Sequence, residues 1–355
     1  MDKIKEFQTY LYDWYKKSAR DLPWRNTDDP YRIWISEIML QQTRVDTVIP
    51  YYNKFIDKIP TVEDLASIEE DLLLKLWQGL GYYTRAINLK RAALIIVKEY
   101  NGIIPSSKEA LVSLPGIGSY TAGAMLSIAF SQRVQAVDGN VLRILARVYG
   151  IREDIKEPAI KKMLTNIAEG LIPAENPGDF NQALMDLGAT ICLPAGEPKC
   201  SECPVRNLCA ADQNDLTRNI PLKIRKKNRE IEKRTVLILS KENLFAIRKR
   251  KPGNLLPNLW EFLNFEGHLT EEESHQIIKN LGLTVLDMQP ILKSKHIFTH
   301  LEWHMIGFFI TVSEPKECAG LMWASRDELK HQYSIPTAFK DYLKYILSLS
   351  LGYEN

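Results

Sequence analysis

Hydrophobic patterning changes its period once along this chain, and that change limits the architectures open to it. Up to about residue 209 the apolar residues recur at helical spacing. Ile4, Phe7, Leu11 and Trp14 form one stripe, and "LLLKLWQGLGYYTRAINLKRAALIIVKEY" carries others. Pro105 and Pro115 mark turns between them. Beyond Arg234 the runs become short and β-prone. "TVLILS" and "LFAIRKR", separated by "KEN", read as a hairpin, and "HMIGFFITV" reads as a further strand. "EEESHQIIKNLGL" and "PTAFKDYLKYILSLSL" read as helices. The sequence therefore predicts a multidomain protein, all-α over residues 1–216 and α+β over residues 235–355. Between them, residues 217–234 hold eight basic residues against two acidic ones. This stretch is either a solvated linker or a connector that touches something anionic.

A length of 355 residues accommodates two such domains, and a net charge of +2 neither supports nor excludes a polyanionic partner. No apolar run is long enough to span a bilayer, and the N-terminus does not resemble a secretory signal. The expectation is a cytoplasmic protein with no membrane partner. Four of the five cysteines, Cys192, Cys200, Cys203 and Cys209, fall within "CLPAGEPKCSECPVRNLC". Such crowding suits a metal site in a reducing compartment, either a [4Fe–4S] cluster or a tetrahedral zinc. Zinc sites usually pair two short knuckles, whereas this stretch has one C-x2-C followed directly by Pro204. The alternative is four unrelated structural thiols. Cys318 stands apart and reads as an ordinary thiol.

"SLPGIGSYTAGAMLSIAF" places Gly116 and Gly118 in a turn between two helical patterns. Glycines there let backbone N–H groups approach a ligand, and the helix start that follows favours an anion such as phosphate. A plain helix–turn–helix without ligand is the alternative. Downstream, Asp138 opens "DGNVLRILARVYG", where it reads as a helix N-cap whose carboxylate stays ionised. Glu37 offers the contrast. In "YRIWISEIMLQQTRV" it sits between Ile33 and Trp34 on one side and Leu40 on the other. Burial there raises its pKa and equips it as a general acid, unless it pairs with Arg32 or Arg44. One high-pKa and one low-pKa carboxyl divide the labour as glycoside cleavage requires.

The turn, Asp138 and the cysteines, in that order over roughly residues 5–209, resemble the helix-hairpin-helix base-excision DNA glycosylases. "WISEIMLQQT", "GLGYYTRA", "LPGIGSYTAG" and "VDGNVLRILAR" look like the adenine-DNA glycosylases of the MutY family, which remove adenine mispaired with 8-oxoguanine. The resemblance implies duplex DNA containing A:8-oxoguanine or A:G as the partner, a monomer, and an iron–sulfur loop over residues 192–209. The loop is one residue longer than the family's between its first two cysteines, and Lys199 and Arg206 would face DNA. Location would be cytoplasmic, at the nucleoid in a prokaryote. Glu37 would protonate N7 of adenine, Asp138 would stabilise the sugar cation, and Tyr120 would assist at the sugar. Trp24, Arg25 and Gln182 would line the base pocket, and Gln42 and Tyr82 would wedge the duplex. Trp24 and Tyr82 could equally be core aromatics. The related endonuclease III group carries a lysine where this chain has Tyr120, and some MutY proteins have a lysine where it has Leu142. A lysine can form a Schiff base with the opened sugar and cut the strand, and a tyrosine cannot. The resemblance thus implies base removal without strand cleavage.

"LLPNLWEFLNFEGH" and "KHIFTHLEWHMIGFF" resemble the MutT-like, or Nudix-like, C-terminal domain of these enzymes. Gly267 and Glu273 fit the start of a Nudix motif, but Leu281 and Gly282 arrive too soon and its Arg-Glu and Glu-Glu pairs are missing, so no hydrolysis is expected. Phe298, Thr299 and His300 correspond to the segment that reads 8-oxoguanine, with Thr in place of the common Ser. A hairpin turn without ligand contact is the alternative. A bifunctional endonuclease III-like glycosylase/AP lyase for oxidised pyrimidines ranks second as a function. A non-enzymatic damage-sensing DNA-binding protein ranks third.

Overall fold

Phe7, Leu11 and Tyr15 fall on one face of the first helix, Lys3–Ser18, and their burial starts a core. That core continues through Val141, Ile144 and Leu145 of Gly139–Tyr149, Leu164 and Ala168 of Pro158–Leu171, and Phe180 and Leu184 of Pro177–Asp186. Each helix contributes one apolar stripe, the geometry a helix-on-helix core needs. The computed structural model describes residues 3–222, 229–251, 253, 255–313 and 320–349. The chain forms two compact units, one of Met1–Ser67 with Asn88–Lys226 and one of Ile68–Ile87 with Lys227–Asn355. No helix among the described residues is long and apolar enough to cross a membrane.

In the first unit the helix Pro30–Leu40 starts at Asp29, whose side chain accepts from the Tyr31 N–H, with Pro30 at the first helical position. The glycine turn follows the short helix Lys108–Ser113. Gly116 has φ +82°, and a Cβ on it would come within 2.9 Å of Asn88 Cβ. Gly118 caps the next helix, Ser119–Ala129, with ordinary φ and open space around it.

The second unit is an eight-stranded sheet with helices. At its centre Glu230–Lys241 runs parallel to Leu301–Val312, pairing Val236 with Gly307. Val236 and Ile238 face one apolar cluster with Tyr342 and Ile346 of the helix Lys340–Ser348. Leu237 and Leu239 face another, with Ile278 of the helix Glu271–Asn280. Burial on both faces explains why "TVLILS" reads as an unbroken apolar run. It pairs antiparallel with Leu244–Lys249 across Glu242 and Asn243, whose φ values of 48° and 68° suit a tight hairpin turn.

Two features differ from the sequence reading. Residues 230–234, read as the end of a connector, are strand, with Glu232 and Arg234 paired within the sheet. Arg234 bonds Glu232 and Asn264 and lies over the Trp303 ring. Residues 223–228 of the connector, and Cys318, lie outside the described residues. The segment Ile68–Ile87, read with the helical domain, groups with the sheet. Its Lys75 Nζ donates to the Tyr333 carbonyl at 2.8 Å, and Gln78 Nε2 to that of Ile335 at 2.7 Å.

Candidate active site

Glu37 lies on the largely apolar helix Pro30–Leu40, and it is buried. Its carboxyl opens on a pocket of about 170 Å³ that Trp24, Arg25, Tyr120, Asp138, Asn140 and Gln182 also line. Glu37 Oε2 has no hydrogen-bond partner. Arg32 pairs with Asp29 rather than with Glu37. Burial pushes the Glu37 pKa up to about 7; Asp138 nearby adds to the shift, and the Tyr120 hydroxyl and Arg25 oppose it. Tyr120 is itself held well above its ordinary value, first by burial and then by the two carboxyls. Its hydroxyl lies 3.7 Å from Met185 Sδ.

Asp138 is the N-cap of Gly139–Tyr149. Its Oδ1 accepts from the backbone N–H groups of Asn140 at 2.9 Å and Val141 at 2.8 Å, and its Oδ2 accepts from Asn140 Nδ2 at 2.6 Å. Asp138 thus caps a helix and also lines the pocket; among the described residues, none lining this pocket is a lysine. Leu142, one turn into the helix, is buried.

Trp24 is buried edge-on against Tyr52, with ring centroids 5.2 Å apart, so it packs in the core and also lines the pocket. Arg25 lines the pocket but its guanidinium forks onto Asp186, at 2.5 and 2.7 Å. Gln42, at φ +59°, lines an adjoining open hollow with Glu37, Tyr120 and Asp138. Gly116 and Gly118 do not line either space.

Cys192, Cys200, Cys203 and Cys209 line one small cavity together with Arg147 and Arg206. Arg147 Nη1 donates to Cys192 Sγ at 3.1 Å. Among the described residues no three His, Cys, Asp or Glu side chains are gathered as for a single metal ion. The four sulfurs instead ring a shared space, a soft donor set that fits an iron–sulfur group. Lys199 and Arg206 are already engaged locally, with Glu202 at 3.9 Å and Asp212 at 2.9 Å.

In the second unit, Phe298 is partly buried against His296 and Trp303, so it anchors its turn rather than standing free. Thr299 and His300 are exposed. The Thr299 hydroxyl and the Tyr82 hydroxyl hydrogen-bond at 2.8 Å, and Tyr82 holds a left-handed φ of 47°. Glu273 serves a capping box with Thr270 at the start of Glu271–Asn280. Sequence reasoning missed Asn140, Met185, Asp186 and Arg147. The one available signal was the four-residue step from Gln182 to Asp186, which puts both on one helix face.

Residues 35–169 match the HhH-GPD superfamily of base excision DNA repair proteins, and residues 234–345 match the NUDIX domain. The chain is 39% identical over 300 residues to the adenine DNA glycosylase of Buchnera aphidicola subsp. Acyrthosiphon pisum, covering 84% of this chain and 85% of that protein. It is 46% identical over 220 residues to the Homo sapiens adenine DNA glycosylase, covering 59% of this chain and 40% of that one. Among solved structures, a thermostable thymine-DNA glycosylase gives a TM-score of 0.54 at 33% identity, covering 60% of this chain and 97% of that chain. A non-covalent endonuclease III–DNA complex gives 0.51 at 22%, covering 61% and 99%, a likeness of fold alone.

Proposed function

The chain belongs to the adenine DNA glycosylase family, and from that premise we propose that it excises adenine opposite 8-oxoguanine or guanine in duplex DNA, as a monofunctional, monomeric enzyme. The observation that carries this reading is Glu37, a buried carboxyl with one unpartnered oxygen on the pocket that Asp138 also lines. Flipped adenine enters between Trp24, Arg25 and Gln182, and Glu37 delivers its proton to N7. Protonation weakens the bond from N9 to C1′, which breaks with its electron pair leaving on the base. The positive charge left on the sugar is met by the Asp138 carboxylate, fixed in place by its three N–H donors. Water then adds to C1′, its released proton passing to the Glu37 carboxylate, and leaves an abasic site. Tyr120 closes the pocket beside the sugar and has no amine with which to form a Schiff base.

The remaining assignments follow the same reading. The Gly116–Gly118 turn and the start of Ser119–Ala129 take a backbone phosphate. Gln42 and Tyr82 wedge the duplex, and Thr299 and His300 read the oxidised guanine. The four cysteines hold a [4Fe–4S] cluster, which braces residues 192–209 and supplies no step of the excision.

Incubation with duplexes carrying A opposite 8-oxoguanine, A opposite G, and thymine glycol tests the proposal. Adenine should be released from the first two, with strands intact until heated in alkali and little borohydride-trapped complex. Efficient trapping and cutting at thymine glycol would establish the lyase reading, and tight binding without base release the damage-sensing one.

A further inference from the structure

Among the described residues Asp186 is the most buried acid of the first unit, with its side chain 1% exposed, and four hydrogen bonds from two arginines converge on it. Arg25 gives it Nη1 at 2.5 Å and Nη2 at 2.7 Å, one to each oxygen. Arg20 gives it Nε at 2.7 Å and its backbone N–H at 3.2 Å. The carboxylate sits where the helix Pro177–Asp186 passes into the π-turn Leu187–Ile191, a departure from regular helix of the kind that collects at functional sites. Arg25 and Glu37 line the same pocket, yet no ion pair joins them, and Glu37 Oε2 stays without a partner.

We propose that Asp186 is a positioning residue that holds and neutralises the Arg25 cation at the pocket wall, so that Glu37 keeps the proton it must donate. The proposal rests on the general-acid role of Glu37. Besides Arg25, the charged and titratable groups around Glu37 are Tyr120 and Asp138, with Arg20 also lining the pocket and Arg44 on the adjoining hollow. Asp138 is already committed to three N–H donors. If Asp186 loses its charge, Glu37 becomes the uncommitted acid within reach of a buried guanidinium, and such a neighbour favours the carboxylate. A Glu37 ionised at neutral pH has no proton to give.

The test is the pH profile of single-turnover excision by the full chain on an A:8-oxoguanine duplex. Wild type should lose activity above about pH 7, as Glu37 ionises. In Asp186→Asn this alkaline limb should move down by at least about one unit, with excision at pH 7 at least about fivefold slower and duplex affinity within about threefold. Should that variant not fold, Arg20→Gln/Asp186→Asn leaves fewer buried cations uncompensated and carries the same expected shift. Arg25→Gln/Asp186→Asn, which removes the cation with its partner, should bring the limb back to the wild-type position. A rate that falls equally at every pH, with the limb unmoved, gives Asp186 a purely structural role and overturns the proposal. So does a limb that stays shifted when Arg25 is also neutralised. A wild-type profile with no alkaline limb would instead remove Glu37 as the acid, so the two failures are distinguishable.

Discussion

The pocket around Glu37 and the turn at Thr299 and His300 handle polar groups in opposite ways. In the pocket the charges are wholly or partly buried and nearly all already spoken for: Asp138 by a helix start, and Arg25 and Arg20 by Asp186. The exception is Glu37, whose Oε2 is buried and unpartnered. An unsatisfied buried carboxyl is costly, so the surrounding structure must hold it there. At the turn, Thr299 and His300 stand in solvent, and Phe298 beneath them packs on Trp303. Beyond the Thr299–Tyr82 bond, water can satisfy those exposed groups until a ligand replaces it, so their remaining hydrogen-bonding capacity costs little to leave open. On the proposed reading, the difference teaches that the chemistry would depend on a stored desolvation cost, whereas base reading would depend on exposed hydrogen bonds on a rigid mount.

The sharpest way to break that comparison is Glu37→Gln. The amide keeps the shape and cannot donate a proton to N7, so single-turnover excision should fall at least about 10²-fold while duplex binding survives. Near-normal excision would show that the buried oxygen is not the acid.

The same substitution should make the protein more stable, and with a definite pH sign. The folded pKa of about 7 lies above the ordinary 4.5, so between those values the folded state binds more protons than the unfolded one. Stability therefore falls as pH rises through that window and stays low above it. Glu37→Gln removes that loss, a gain of up to about 3 kcal/mol at pH 8 that vanishes below about pH 4.5. Denaturant midpoints of both proteins at pH 4.5 and pH 8 measure it. An equal difference at both pH values would mean that the cost is not one of charge.

How far the sequence carried these two regions differs for the same physical reason. Glu37 and Asp138 were legible because their environments are local: an apolar helix around one, a helix start at the other. The clamp of Asp186 on Arg25 joins residues 161 positions apart, and no periodicity records such a pair. The strand over residues 230–234 was hidden by its charge. Glu232 bonds Arg234 and the Trp303 indole N–H, contacts that exist only once the sheet has formed. The grouping of Ile68–Ile87 with the sheet rests on side-chain bonds to backbone carbonyls, such as Lys75 to Tyr333, which leave no mark in the sequence either.

At the exposed turn the expected effects are smaller and fall on selection rather than chemistry. Each hydrogen bond to a base edge is worth about 1–3 kcal/mol, so Thr299→Ala with His300→Ala should narrow the affinity gap between A:8-oxoguanine and A:G duplexes by about one to two orders of magnitude. Both affinities must be measured at one salt concentration, since phosphate contacts dominate the total. Excision from a saturated A:G duplex should hardly change. Equal weakening on both duplexes would assign the turn to general DNA holding.

The smallest effect separates the turn's own hydrogen bond from the ones it offers to a base. Tyr82 and Thr299 share a bond of 2.8 Å between exposed hydroxyls. Such a bond trades against water and contributes about 0.5–1.5 kcal/mol at most, towards the lower end when exposed. Tyr82→Phe keeps the ring that would enter the duplex and removes only the hydroxyl. It should therefore leave excision unchanged and reduce the preference for 8-oxoguanine by no more than about threefold, through a freer Thr299. Thr299→Ala alone should cost more than Tyr82→Phe, because it removes the group that faces the base as well as the one that fixes it. If Tyr82→Phe costs as much as Thr299→Ala, the Thr299 hydroxyl serves to orient Tyr82 rather than to read the base. The exposed region would then resemble the buried one, a place where one side chain matters for how it holds another.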